Sequence, residues 1–562
     1  MNVSAGLKKK LLLTAVLCSA GFIIYSNVLG GAFQFDDLKV IIENPAIKKL
    51  GDLPGIWRHW PTRFITTLSF AINYRLEHFN VFYYHLFNLL IHLGSAMLVW
   101  WLAFLTLSSP GMRETKISGY KDQLAFFAGL IFAAHPVQTE AVSYITQRAT
   151  CLCAFFCLAS VCFYVKSNKR HYYAASLFAM AMAMFTKENA AIFPLVILLY
   201  DLVFLNAEKS GRWKRLTPVL MTLLIIPLTM LASRSVDISQ MRLVCEDPPG
   251  ITPAHYFFTQ LRVIVTYIRL LFLPLNQNLD YDYHIATSIT EPQALASLFL
   301  LGLILFIAVK MIPKYKLLSF GVFWFFLTLL PESGVIPIAD VIFEHRLYLP
   351  MAGFSLFLAG TGYYIFGRRS LKAMRAAMLI AVIFYSVLAY NRNLVWADNL
   401  VLWNDAVIKS PNKPRPYNNR GYAYLERQNA DMAIRDFTRA IQLKPDLSVA
   451  FYYNLGNAYA MKGSFDEAVS NYDKAILMRP SYYPAYVNRG IAYAAKGGLD
   501  NAIADYTKAI QLDPAGSTAY IKRSLAYLKK DDHVKALEDM LRAEALGCRI
   551  PDDFRKKIRE EA

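Results

Sequence analysis

The sequence predicts an all-α protein in two parts: a polytopic membrane helical bundle of about eleven spans, then a soluble α-solenoid. Two observations carry that expectation. Up to Tyr390 the chain repeats apolar runs of about twenty residues, the length that crosses a bilayer core of ~30 Å. Beyond Pro411 charge is dense, no such run recurs, and residue types return at a period of 34 or 35. The expected domains are 1–390 in the membrane, a linker at 391–410, four repeats over 411–550 and a tail at 551–562.

The apolar runs lie at 11–29, 82–107, 123–146, 149–165, 172–186, 189–206, 215–232, 293–309, 317–330, 346–366 and 372–390. The first follows Lys8, Lys9 and Lys10 like a signal sequence, but it is long and lacks a small-x-small cleavage site, so it is expected to stay as the first span. Leu17 precedes Cys18 where a lipoprotein signal would want a small residue, which argues against lipidation. Basic residues gather in alternate links, at 113–121, 166–170, 209–215, 310–316 and 368–375. With the N-terminal lysines they mark one side as cytoplasmic. The other side then receives 30–81, the turns at 146–148 and 186–188, 233–292, 331–345 and the repeats. Segment 255–273 is apolar enough to span, but a crossing there would misplace the basic link at 310–316. Arg262 and Arg269 share one helical face, so a helix lying in the outer interface is expected.

The net charge of +18 has the same origin. Its lysines and arginines orient the spans instead of forming a nucleic-acid surface, and no nucleic-acid partner is expected. Cys18, Cys151, Cys153, Cys157 and Cys162 lie in apolar runs and read as small hydrophobes, leaving Cys245 and Cys548 water-accessible. No disulfide framework is expected, and Cys151-Leu-Cys153 lacks the second ligand pair of a zinc site.

In the C-terminal part Gly421, Gly456, Gly490 and Ser524 recur, as do Tyr424, Tyr459, Tyr493 and Tyr527. Ala433, Ala468, Ala502 and Ala536 let paired helices approach, beside Phe437, Tyr472, Tyr506 and Met540. Ala440, Ala475, Ala509 and Ala543 follow one turn on, and Pro445, Pro480 and Pro514 close the helices. These columns are those of tetratricopeptide repeats. They point to a protein or peptide held in a concave groove, with a purely structural solenoid as the plain alternative.

Several polar residues stand out because a bilayer makes them costly. Asp36 and Asp37 are adjacent carboxylates just beyond the first span, suited to a general base for a hydroxyl nucleophile, or to capping a helix. His85, Asn88 and His92 form one stripe on the second span. The histidines are ~10 Å apart along the axis, too far to share an ion, so interhelical bonding and substrate contact are the readings. Glu140 sits one turn beyond the kinking Pro136, Arg148 at the next outer turn, and Lys187 with Glu188 at the one after; pairing of Glu140 with Arg148 or Lys187 would be purely structural. Glu344, His345 and Arg346 follow an outer loop, and Arg346 offers forked donors to a phosphate, although a snorkelling arginine would look the same. Asp280 and Asp282 have an Asp-x-Asp spacing that alone is weak evidence for a divalent ion; no cofactor is otherwise expected.

Asp36-Asp37, His135-Pro-Val-Gln-Thr-Glu-Ala-Val, Thr186-Lys-Glu, Asn278-Leu-Asp-Tyr-Asp-Tyr, Glu344-His-Arg-Leu-Tyr-Leu-Pro and the trailing repeats together resemble one family. It is that of the transmembrane and tetratricopeptide repeat (TMTC) O-mannosyltransferases and their prokaryotic relatives, GT-C class glycosyltransferases. The resemblance implies inverting transfer of a mannose-like sugar from a polyprenyl-phosphate donor to a hydroxyl acceptor on the outer face. Asp36 or Asp37 would take the acceptor proton, Arg346 with Lys187 or Arg148 would stabilise the phosphate, and Glu140 and Glu188 would orient those cations. The chain departs from the eukaryotic pattern at Gln138, where a second histidine is common, at Met351, and in having four repeats. A short array on an apolar anchor suits a bacterial inner membrane. A lipid-linked glycan or envelope polymer is the alternative acceptor, and a non-enzymatic membrane scaffold the alternative function.

Overall fold

The computed structural model describes residues 5–205, 209–233, 251–548, 550 and 555. Among them every regular element is helical and none is a strand. The chain divides into two compact units, 1–402 and 403–562.

The first unit is a helical bundle. Its elements include α1 (Ala5–Tyr25), α2 (Phe64–Glu77), α3 (Val81–Leu107), α4 (Lys121–Ala134), α5 (Gln138–Ser143), α6 (Arg148–Val165) and α7 (Arg170–Met184). After these come α8 (Pro253–Phe272), α9 (Pro292–Met311), α10 (Lys316–Leu329), α11 (Pro350–Gly362) and α12 (Leu371–Trp396). Among the described residues seven helices are long and apolar enough to cross a membrane: Lys8–Val28, Val81–Leu107, Ile145–Val165, Glu188–Leu205, Gly211–Ala232, Pro292–Met311 and Leu371–Trp396. Each matches one of the eleven apolar runs, and Lys316–Leu329 is a shorter apolar helix at another. The other three runs take shorter or broken forms. The run 123–146 splits into α4 and α5 because Pro136 cannot donate to the helix and His135 before it is extended. The runs 172–186 and 346–366 appear as the fifteen-residue α7 and the thirteen-residue α11.

Helix α8 fills segment 255–273 and is strongly two-sided. Its Tyr256 and Tyr267 hydroxyls donate to the Glu332 and Phe343 carbonyls at 2.6 and 2.9 Å, and Gln260 Nε2 to the Val341 carbonyl at 2.7 Å. Arg262 and Arg269 tie its other side to the carbonyls of His284 and Leu275. The helix therefore fixes the 331–343 loop along its length. The six described cysteines are free; Cys245 lies outside the described residues.

The second unit opens with the end of α13 (Asn399–Lys409) and continues in four helix pairs. These are α14 (Pro414–Glu426) with α15 (Ala430–Leu443), α16 (Val449–Lys462) with α17 (Phe465–Met478), α18 (Tyr483–Ala495) with α19 (Leu499–Leu512), and α20 (Ser517–Leu528) with α21 (His533–Ala545). A Cβ on Gly456 or Gly490 would lie 2.6 Å from the ring of Tyr472 or Tyr506, so the aromatic ring of one helix occupies the space the glycine of its partner leaves. In the last pair Ser524 has its Cβ, and the facing residue is the unringed Met540.

The stretch read as a linker contains a half repeat. Trp403, Ala406 and Pro411 stand 34 residues before Phe437, Ala440 and Pro445, so α13 carries the second-helix pattern of a preceding unit. The bonding agrees with the pattern. Arg489 reaches Asp505 in its own repeat and Asp473 in the one before, and Arg523 likewise reaches Asp539 and Thr507. Arg420 does the same with Asp436 and with Asn404 of α13. Only the second repeat lacks this pair, having Leu455 and Asn471 in the two positions.

That substitution inside the array makes a prediction. Arg489→Leu alone strands the buried Asp505 and should cost about 3 kcal/mol. Adding Asp505→Asn, which copies the second repeat, should recover more than half of the loss in denaturant unfolding of the full chain. Additive losses in the double variant would contradict the pairing.

Candidate active site

The site is organised by the short stretch from His135 to Thr150, which the Pro136 break turns across the end of the bundle. Residues 135 to 146 and Arg148 are buried but for Thr146, itself half-buried. Their polar groups therefore need partners, and most find one on a different element; Thr139 bonds the Pro136 carbonyl within the stretch, and the Gln138 amide has no partner among the described residues.

His135 accepts from the Val137 amide at Nδ1, so its Nε2 donates to the Leu271 carbonyl at the end of α8, 2.9 Å away. Glu140 receives the Glu344 amide at 2.9 Å and His345 Nδ1 at 2.7 Å. Ser143 donates to Asn393 Oδ1 on α12, whose amide in turn reaches the Ile24 carbonyl of α1. The Tyr144 hydroxyl accepts the Asp36 amide at 3.0 Å and bonds the Asp36 carboxylate, while its ring stacks on Trp396. The Thr146 amide donates to Asp37 Oδ1 at 2.7 Å, and the Thr146 hydroxyl donates to the same oxygen. Thr150 accepts from Lys187 Nζ at 3.0 Å.

The two aspartates thus differ. Asp37 is 1% exposed and accepts from Thr146 and from the Gln34 amide at 2.9 Å. Burial pushes its carboxyl up to about 7, the hydrogen bonds opposing that rise. Asp36 is exposed, and its carboxylate is held by Tyr144. Phe35 before it has φ +49°, a conformation costly for a side chain bearing a Cβ.

A second cluster lies against Glu140. Lys187 pairs with Glu332 at 2.7 Å, both nearly buried. Burial alone would raise the Glu332 carboxyl; Lys187 and then Arg346 overcome it and hold it at about 2. Burial and the neighbouring Lys187 keep His345 well below the usual imidazole range, so it is neutral beside Glu140. Glu344 accepts from Gln277 at 2.6 Å, the Asn278 amide at 2.7 Å and the Tyr281 hydroxyl at 2.5 Å, and burial together with Glu140 raises it. Arg346 aims its guanidinium at the carbonyls of Asp340 and Val341, at 2.6 and 3.0 Å, and at that of Glu332. It fastens the 332–341 loop beneath the Lys187–Glu332 pair.

The structure brings Asp36, Asp37, Glu140 and Lys187 onto one segment and joins Glu344, His345 and Arg346 to it. It does not bring the others into the same group. Arg148, expected beside a phosphate, points into the bundle: its guanidinium donates to Asn88 Oδ1 at 2.7 Å, Asn73 Oδ1, the Ser69 carbonyl at 3.2 Å and the Tyr84 carbonyl at 3.0 Å. With its donors committed and Phe70 against its plane, Arg148 is a structural tie of α2 and α3 to α6 and cannot also fork onto a phosphate. Asn88 completes that tie through the Val142 and Ile145 carbonyls. His92 bonds Tyr348 and the Ala133 carbonyl, joining α3, α4 and the start of α11. His85 is buried against Gly31, where a Cβ would lie 3.3 Å from Nε2. Glu188 turns to Arg63 and Thr62, so it braces the first outer loop and orients neither Lys187 nor Arg346. Asp280 is buried and Asp282 exposed, and among the described residues no group of three or more metal-ligand side chains forms.

Sequence reasoning missed Glu332, Tyr144, Arg392 and Trp396. Arg392 faces Glu140 and Glu344 across the cluster and lies over Trp396 at 5.9 Å. Its signal was the stripe Tyr385, Ala389, Arg392, Asn393 and Trp396, which continues the buried face of α12 past the end of the apolar run.

Two outcomes follow from this geometry. Arg148→Met should destabilise the bundle by at least ~3 kcal/mol, because it leaves four buried acceptors on α2 and α3 unbonded; an unchanged melting temperature in detergent would contradict the tie. Glu332 sits below its unfolded value, so its contribution is complete above the ordinary glutamate range and is lost as pH falls towards about 2. Wild type should therefore lose melting temperature between about pH 5 and pH 3 faster than Glu332→Gln does.

Comparison with known proteins finds relatives of the sequence. Tetratricopeptide repeat models match residues 414–447, 449–482 and 483–515. The protein O-mannosyl-transferase F38B6.6 of Caenorhabditis elegans is 26% identical over 76% of this chain and 62% of its own. The protein O-mannosyl-transferases TMTC4 and TMTC3 of Homo sapiens are 26% and 24% identical over 75% of this chain, and over 65% and 50% of theirs. The chain thus spans between half and two-thirds of the length of these relatives. Among solved structures, that of MamA aligns at 26% identity over 26% of this chain and 86% of that chain, with a TM-score of 0.25. The chain's homologues are named protein O-mannosyl-transferases of the TMTC family, and like the family name it joins apolar helices to C-terminal tetratricopeptide repeats.

Proposed function

We propose that the chain is a membrane glycosyltransferase that moves mannose from a polyprenyl-phosphate donor to a hydroxyl group of a protein, on the non-cytoplasmic face. The observation that carries the reading is the gathering of an exposed carboxylate, Asp36, and a nearly buried cation, Lys187, on one segment from separate stretches of chain. Asp36 takes the proton of the acceptor hydroxyl as its oxygen attacks the anomeric carbon. The bond from that carbon to the phosphate oxygen breaks, with its electron pair leaving on the phosphate and the configuration inverting. Lys187 meets the phosphate in place of Glu332, and Arg346 holds the loop that carries Glu332. Asp37 and Tyr144 fix the position of Asp36, while Glu140 with His345 fixes the start of α11.

An apolar groove supports a prenyl donor. It has a volume of about 440 Å³ between α8, α9, α10 and α11, and its walls include Leu271, Phe272, Ile304, Phe325, Phe354 and Phe357. Leu271 is one of its walls, and the Leu271 carbonyl holds His135 of the site segment. A chain seated there keeps its tail in the bilayer region with its phosphate near the cluster. The repeats, in this reading, bind the protein acceptor or a partner that delivers it.

The test is transfer of radiolabelled mannose from polyprenyl phosphate to protein by the full chain in liposomes. Asp36→Asn should lower the rate by ~10²-fold or more with its melting temperature kept. Transfer within a few-fold of wild type would remove Asp36 as the base, and label found only in lipid would replace the protein acceptor by a lipid-linked one.

A further inference from the structure

At the end of the bundle away from the candidate site, a cavity of about 350 Å³ opens between α1, α4 and α12. Its walls are Leu13, Phe126, Phe127, Ala376 and Leu379, and its charged lining is Lys9, Arg375 and Asp122, with Gln123. The three helices run the same way. Their last turns carry the site segment through Ile24, His135 and Asn393, so their first turns meet at this cavity: Lys9, Asp122 and Arg375 all fall in the first five residues of their helices. The positive ends of three helix dipoles therefore meet at one place, a field that favours an anion, with Ser370 already accepting the Ala373 amide of α12.

The cation and carboxylate count leaves the cavity positive, and Lys8, Lys10, Lys121 and Lys372 stand on the same helix ends. The Gln123 Oε1 atom is buried without a hydrogen-bond partner among the described residues. A buried amide oxygen in that state wants a donor such as a glycerol hydroxyl. The walls, by contrast, are aromatic and aliphatic, and a small hydrated anion would leave them uncovered.

We propose that this cavity binds one anionic phospholipid, its phosphate between Lys9 and Arg375 and its first acyl carbons against Phe126, Phe127 and Leu379. The lipid bridges α1, α4 and α12 at their N-terminal ends, and so stabilises the three helices whose other ends hold the site. The proposal stands independently of the transfer reaction, since it uses none of the residues assigned to that chemistry.

The test uses the full chain in nanodiscs of phosphatidylcholine alone or with about a quarter phosphatidylglycerol, reading thermal midpoint and, by native mass spectrometry, retained lipid. Binding to the folded state alone should raise the midpoint when phosphatidylglycerol is present, with one such lipid retained. Lys9→Gln/Arg375→Gln should abolish both effects. Lys10→Gln/Lys372→Gln, which removes the same charge outside the cavity lining, should keep both, and Ala376→Trp, which fills the cavity and leaves its cations, should lose retention. The inference is overturned if the Lys9/Arg375 variant responds like wild type, if both double variants lose the effect equally, or if inorganic phosphate in phosphatidylcholine nanodiscs reproduces it.

Discussion

Everything at the candidate site depends on a requirement for satisfied hydrogen bonds in a buried turn. Pro136 breaks what would otherwise be one membrane-crossing helix, and the residues after it carry Glu140, Ser143, Tyr144, Thr146 and Arg148 into an environment with little water. Each unpaired group there would cost about 1 to 3 kcal/mol, so the fold is stable only when the Asp36 loop, the Glu344 turn, Lys187 and α12 come in to pair with them. The same bonds that complete the turn therefore assemble the site. Arg148 shows the principle on the inner side of the turn, where it secures α2 and α3 by four hydrogen bonds and a ring contact.

Charge balance explains how such a cluster can exist and, in the proposed reaction, still receive an anion. Glu140, Glu344 and Glu332 are offset by Lys187, Arg346 and Arg392, and His345 remains neutral among them. An arriving phosphate does not need a vacant cation. It needs to replace a carboxylate that already occupies one, and Glu332, on a loop between α10 and Glu344, is the member whose departure disturbs no helix. In the proposed reaction that exchange keeps the cation paired with a protein partner until the donor arrives, which preorganises the site without a bare buried charge.

Much of this was legible in the sequence. Seven of the eleven apolar runs became long helices, the glycine and aromatic columns became packed helix pairs, and Asp36, Glu140 and Lys187 stood out because a charge near lipid requires a reason. The remainder depended on orientation. Nothing in local sequence says that Arg148 faces inward to Asn73 and Asn88 while Lys187, at a similar turn, faces Glu332. Arg392 and Trp396 escaped because the end of an apolar run was taken as the end of its helix, whereas the buried face of α12 continues six residues beyond Tyr390. The half repeat at Trp403, Ala406 and Pro411 was hidden for a related reason: one helix cannot show a period by itself, and only the Asn404 bond to Arg420 makes it part of the array.

The most direct measurement is a cryo-electron microscopy structure of the full chain in lipid nanodiscs with a polyprenyl phosphate bound. The account predicts the phosphate at Lys187 with Glu332 displaced from it, the prenyl chain leading into the groove beside Phe272 and Phe354, and Asp36 open to solvent on the same side. A phosphate seated away from Lys187 and the Glu344 turn, with the Lys187–Glu332 pair intact, would contradict it.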